Sequence, residues 1–211
     1  SGVYVTTKLW PLFAGQHLIL SIMMWVGIAT AFLAALIAFR QRDIKKVLAY
    51  STVSQLGFMF AALGAGAPVA AFFHVVTHAC FKALLFLGAG SVIHGMHEKQ
   101  DLYEMGHLKS HMKFTHMTFL IANLAIIGFP LTAGFFSKDA ILMNVAEHST
   151  VAFILLIGAA LLTAFYMTRC YSLAFHGEAR SKEAEHAHES PLVMTIPLMV
   201  LAVLSVFAGW F

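Results

Sequence analysis

The sequence predicts an all-α fold, a polytopic transmembrane helix bundle of about six spans, and three observations carry that expectation. First, the 211 residues are 60% hydrophobic and only 11% charged, with a mean hydropathy of +0.81. An average soluble domain has roughly 25% charged residues, and a buried helical core of this size would need far more polar surface around it. Second, the apolar residues fall in long runs, near 17–39, 46–66, 69–94, 114–146, 151–175 and 192–211. Each reaches the ~20 residues that cross ~30 Å of hydrocarbon. Third, basic residues gather in alternate connectors: "RQRDIKK" (40–46), "HEKQDLYEMGHLKSHMK" (97–113) and "RCYSLAFHGEARSKEAEHAHES" (169–190) hold nearly all the Lys and Arg, whereas "GAGAP" (64–68) and "EHST" (147–150) hold none. The positive-inside rule puts the three basic loops on the cytoplasmic or matrix side and the C-terminal end on the other.

The opening "SGVYVTTKLW" has no initiator methionine, basic n-region or cleavage site. Residues 1–16 are therefore expected to be the tail of a preceding helix and a connector, within a fragment of a longer chain. The span near 46–66 opens "KKVLAYSTVSQLGFMF", with Ser51, Ser54 and Gln55 on one face. Such hydroxyls and amides can orient a chain of waters, or they can simply knit neighbouring helices together. Lys45 and Lys46, at its basic end, read first as topology signals.

The third span, "AAFFHVVTHACFKALLFLGAG" (70–90), carries His74, His78 and Lys82. A lysine at the bilayer centre costs at least ~2.5–3.5 kcal/mol, so its presence calls for a reason. Steps of four residues advance only ~40° around a helix, so the three groups form a stripe rising ~6 Å per step, a gap that one or two waters bridge. Amines removed from water and imidazoles are the side chains best able to exchange protons. Chelation of a metal by His74 and His78 is the rival reading; a lysine one turn away and the lack of a nearby carboxylate or thiol weigh against it.

The fourth span must break, because 114–146 as one helix would run about 50 Å. The break is expected at "IIGFPLTAGFF", where Pro130 removes an amide and Gly128 and Gly134 tolerate irregular backbone. Unwound backbone at membrane depth occurs only where protein buries it or it lines a water-filled cavity, so the break points to an ion path. Lys138 and Asp139 follow in "GFFSKDAIL". They point ~100° apart and need not pair. If the helix restarts near Ala133, both charges lie in its first turns, where its dipole favours Asp139 and opposes Lys138. The loop "HGEARSKEAEHAHES" reads as a solvated connector.

Other chemistry is sparse. Cys80 and Cys170 are the two cysteines, with no CxxC spacing for a disulfide framework, a zinc site or an iron–sulfur cluster. No GxGxxG follows a strand, and no basic run interleaved with aromatics suggests nucleic acid. No cofactor or metal is expected on this chain.

Four stretches, "RDIKKVLAYSTVSQLGFMF", "FFHVVTHACFKALLFLGAGSVIH", "LYEMGHLKSHM" and "IGFPLTAGFFSKDAIL", resemble in order and spacing the antiporter-like proton-channel subunits of respiratory complex I, in particular the branch called subunit L or chain 5, and their Mrp-type relatives. That likeness covers essentially the whole chain. It implies a core of two inverted five-helix repeats, each with one discontinuous helix. Residues 17–175 would be the second repeat and 192–211 one further helix, together forming a single transmembrane proton-channel domain over 1–211.

By the same likeness His74 and His78 would be central relay groups and Lys82 the central proton-carrying lysine. Lys138 would be the terminal lysine beside Asp139, and Lys45 a basic residue opening the connecting helix. Partners would be the other membrane and peripheral complex I subunits and the lipid bilayer of a bacterial or mitochondrial inner membrane. FMN, iron–sulfur clusters and quinone would sit on those partner subunits. The first repeat, with its glutamate–lysine pair, and a long lateral helix are absent from these residues, so this half is not expected to pump alone. "MGHL" (105–108) also stands where "MGGL" is expected, a loop change without weight by itself.

The function these readings give is redox-driven proton translocation along a hydrated Ser/His/Lys line. The rivals are a secondary Na⁺/H⁺ antiporter subunit, a membrane subunit of an energy-converting hydrogenase, and a half repeat that only packs against its neighbours.

Overall fold

A computed structural model describes residues 2–210, and every regular element in that range is helical. The short helices α1 (Gly2–Lys8) and α2 (Trp10–Phe13) precede three long ones: α3 (His17–Arg40), α4 (Ile44–Gly64) and α5 (Pro68–Gly95). A loop containing α6 (Leu108–His111) leads to α7 (Lys113–Ile127), α8 (Ala133–His148) and α9 (Thr150–Phe175). The last basic loop holds α10 (Lys182–Glu185) and ends at α11 (Leu192–Phe207).

Helices α3, α4, α5 and α9, of 24, 21, 28 and 26 residues, are long and apolar enough to cross a bilayer. The remaining two crossings expected from the sequence consist of shorter pieces, α7 with α8, and α11. Large apolar side chains such as Leu33, Phe165 and Val200 face outward, as a hydrocarbon solvent requires.

Helix α5 lies at the centre, packed against α1, α4, α7, α8 and α11. The tightest pair is α3 with α4. A Cβ on Gly57 would stand 2.5 Å from Ala31 N and 2.6 Å from Gly27 O, so these helices meet backbone to backbone as small residues allow in membranes.

The apolar interior divides into two clusters. One, toward the basic loops, includes Val47, Leu48, Leu84, Leu85, Phe119 and Phe175. The other includes Met24, Phe58, Leu63, Ile141 and Val145. Between or beside them, buried polar residues gather on three helices: Ser51, Ser54 and Gln55 on α4, His74, Thr77 and His78 on α5, and Ser137 and Lys138 on α8. A polar layer thus lies between two apolar caps.

The basic side is closed by docked loops. Asp43 caps α4 by accepting from Lys45 N at 2.8 Å and Lys46 N at 3.2 Å. The chain beside it pairs with 100–102 through Ile44 N to Gln100 O at 3.1 Å and Leu102 N to Arg42 O at 2.9 Å. The connector 176–190, read from sequence as solvated, is instead tied down. Arg180 donates to the carbonyls of Leu102, Met105 and Leu173. Glu189 receives Phe114 N at 2.7 Å and Thr115 Oγ1 at 2.6 Å, occupying the free amides that open α7. The charge pattern suggested solvation because Arg and Glu bonding to backbone leaves no mark on hydropathy. Outside the hydrocarbon, Tyr103 Oη takes a bond from Arg169 at 3.2 Å, and that guanidinium holds the phenol below its ordinary range.

Candidate functional site

The broken helix builds one end of the site. Gly128, at φ 87°, ends α7, with Gly128 N and Phe129 N both bonded to Leu124 O, a left-handed glycine closure of the Schellman type. In a continuous helix Ile126 O would accept the amide of residue 130, but Pro130 has none. Lys138 Nζ donates to that carbonyl instead, at 2.7 Å. Gly134 restarts the chain with its Cα against Ala125 O, too close for any side chain. Pro130 is itself exposed; its effect is to vacate an acceptor inside.

Lys138 is only 4% exposed and its ammonium also lies 5.3 Å from the ring centre of Phe58. Asp139 faces outward, as adjacent helical positions predict. The restart at Ala133 matches the sequence reading, yet it puts Lys138 in the second turn, beyond the first turn where the helix dipole is felt.

Lys82 builds the other end. Its Nζ donates to Leu48 O at 3.0 Å, a carbonyl that also takes Thr52 Oγ1 at 3.0 Å. Neither buried lysine has a carboxylate partner, and among the described residues the one ion pair is the exposed Lys99–Glu104 contact at 3.1 Å, whose hydrogen bond raises the affinity of Lys99 for its proton.

Between the lysines lie the two histidines, their ring centres 6.1 Å apart. His74 joins three helices: Nε2 is 3.2 Å from Gln55 Oε1 on α4 and Nδ1 is 2.8 Å from Ser137 Oγ on α8. A carbonyl oxygen only accepts, so with the amide in this orientation Nε2 carries the proton and Nδ1 accepts from Ser137. Both ring nitrogens of His74 are hydrogen-bonded within the protein. Ser137 also receives Thr77 Oγ1 at 2.7 Å and has Ala133 O within 3.2 Å, so its single proton can turn between two acceptors. His78 packs edge-on to Phe81 at 5.4 Å. His78 Nε2 and Gln55 Nε2 are buried without a protein partner.

Of the hydroxyls on α4, Ser54 donates to Ala31 O at 2.9 Å and binds α4 to α3, whereas Ser51 receives Tyr166 Oη from α9 at 2.9 Å. Lys45 is exposed in the first turn of α4, away from the polar layer. Sequence reasoning missed Ser137, Thr77 and Tyr166. Ser137 sits beside Lys138 and could have been suspected on adjacency; nothing local marks the other two.

The transmembrane family described as NADH:quinone oxidoreductase/Mrp antiporter matches residues 1–163. The chain belongs to this family. Curated members align along nearly all of it: chain 5 of the NAD(P)H-quinone oxidoreductase of Picosynechococcus is 46% identical over 99% of the chain and 36% of its own length. Subunit L of the NADH-quinone oxidoreductase is 44% identical in Neisseria meningitidis, over 100% of the chain and 34% of its own length. The chain therefore spans about a third of these family members. Among solved structures, the Mrp complex of Dietzia matches at a TM-score of 0.86 with 19% identity, over 99% of this chain and 47% of that one, a likeness of fold. The archaeal membrane-bound sulfane sulfur reductase matches at 0.83 with 30% identity, over 89% and 32%. With its family and its apolar helices established, the chain is a multi-pass inner-membrane protein.

Proposed function

We propose that this chain is part of a proton-translocating membrane subunit of an NADH:quinone oxidoreductase. Protons pass along a line from Lys82 through His78, His74 and Ser137 to Lys138. Residues 17–175 supply the second repeat of the channel and 192–211 an added helix. The redox reaction, with its FMN, iron–sulfur clusters and quinone, belongs to partner membrane and peripheral subunits, and this chain carries no redox centre.

The observation that carries the reading is the way the lysines are held. A carboxylate beside Lys82 or Lys138 would fix its proton; a backbone carbonyl accepts an N–H from either an ammonium or a neutral amine, so one seat serves the loaded and the unloaded lysine. Between them, a neutral imidazole takes a proton on one nitrogen and gives one up from the other, and the Ser137 hydroxyl accepts on one side while donating on the other. The unpartnered His78 Nε2 and Gln55 Nε2 offer valence to bridging water. A change in charge or position in partner subunits alters the proton affinities of Lys82 and Lys138 in turn and releases a proton outward past the break at 128–132.

Protons suit this line better than sodium. Hard cations are bound by oxygen ligands, with carboxylates foremost, and the buried polar side chains among the described residues are Ser, Thr, Gln, Asn, His and Lys, with no Asp or Glu. The test is Lys82→Met in the full-length subunit assembled in its complex. Quinone-dependent acidification of proteoliposomes should fall at least tenfold while assembly on native gels is unchanged, and full pumping in the variant would sink the assignment.

A further inference from the structure

A cavity of about 520 Å³ lies on the basic side between the α6 loop, the start of α7 and the end of α9. It shares no residue with the polar layer. Lys109, Lys113, His107 and His176 line its wet side, and Met117 and Phe175 its apolar side. His116, 5% exposed, reaches it with Nε2 held 2.6 Å from Tyr171 Oη, which leaves the other ring nitrogen for a ligand. Among the described residues neither Lys109 nor Lys113 forms an ion pair, and Glu189, on the last basic loop, is engaged by the amides of α7 and by Thr115.

The backbone supplies an independent sign. His107 sits at φ 62°, in the left-handed region that glycine occupies freely and that few side chains adopt. Strain of this kind persists where a side chain is wanted at that point. Here it puts an imidazole on the cavity wall, 5.8 Å centre to centre from that of His111.

We propose that this cavity binds the phosphate headgroup of an anionic phospholipid. Two lysines and three imidazoles line one cavity at the basic-loop ends of α7 and α9. Basic pockets between helices on the inner side suit such headgroups. The acyl chains continue along Met117 and Phe114, which are 53% and 54% exposed on the adjoining face. Free phosphate would satisfy the donors and leave that apolar wall unused.

The test uses the full-length subunit in its parent complex, purified from nanodiscs of phosphatidylcholine doped with phosphatidylglycerol, with retained lipid read by native mass spectrometry. Wild type should retain phosphatidylglycerol over phosphatidylcholine and keep it in excess inorganic phosphate. Lys109→Gln and Lys113→Gln should each weaken retention about fivefold. His107→Gly, which relaxes the backbone and so does not threaten folding, should weaken it again while leaving the complex assembled. Unchanged retention in a variant that carries both Lys109→Gln and Lys113→Gln overturns the proposal. So does displacement of the lipid by inorganic phosphate alone, or loss of a partner subunit rather than of lipid, which would make the cavity a protein contact.

Discussion

The α3–α4 pair and the α5–α8 pair solve the same problem, holding two helices together where lipid is as apolar as the side chains, by opposite means. In the first, glycine and alanine bring backbones into direct contact, so that Gly57 and Gly27 face each other with no room for a methyl group. In the second, polar side chains span the gap: Ser137 reaches His74 at 2.8 Å and Thr77 at 2.7 Å. One interface serves adhesion alone. The other gives up an unbroken helix and holds titratable groups inside, His74 and both lysines on uncharged partners.

Three substitutions break or sharpen that contrast. Gly57→Leu forces a side chain into the α3–α4 seam; overpacking costs about 1–3 kcal/mol or more where the obstacle is backbone. The full-length protein should lose assembled complex on native gels and melt well below wild type, with no gain from compensating changes in the polar layer. Ser137→Ala leaves packing nearly intact and removes the hydroxyl between His74 and the α8 backbone. It should cost about 1 kcal/mol of stability, a shift of a few degrees, yet lower quinone-coupled proton flux several-fold at constant assembly. Flux equal to wild type would reduce Ser137 to a helix tether like Ser54. Asp139→Asn, on the exposed face of α8, should change stability by less than about 0.5 kcal/mol and leave flux near wild type. A large loss of flux there would mean that the outward end of the line turns toward Asp139.

Much of this was legible in the chain. Hydropathy placed the long helices, and the arithmetic of span length required a break that Pro130 and Gly128 located. The four-residue spacing of His74, His78 and Lys82 put them on one face before any packing was known. Less legible were the roles of residues that look alike in sequence. Ser51, Ser54 and Gln55 share a face, yet one meets Tyr166, one ties α4 to α3 and one holds His74. Lys138 and Asp139 are neighbours, yet one is buried against Ile126 O and the other is in contact with the exterior. The acidic and basic loop at 176–190 looked solvated and proved to be bonded to the backbone of the 96–107 loop and of the start of α7.

By itself, then, the sequence determined which segments are helical, where one of them must fail and which polar groups share a turn, because those properties follow from composition and a 3.6-residue period within a single helix. Only the tertiary structure decided what each polar group touches. Helix rotation and register set the partners across a gap, and they come from the packing of α3, α4, α5, α8 and α9 together. That packing gathers the scattered hydroxyls, imidazoles and amines into one layer, seats both lysines on carbonyls, and leaves a separate cavity lined by lysines and histidines at the basic-loop end of the bundle.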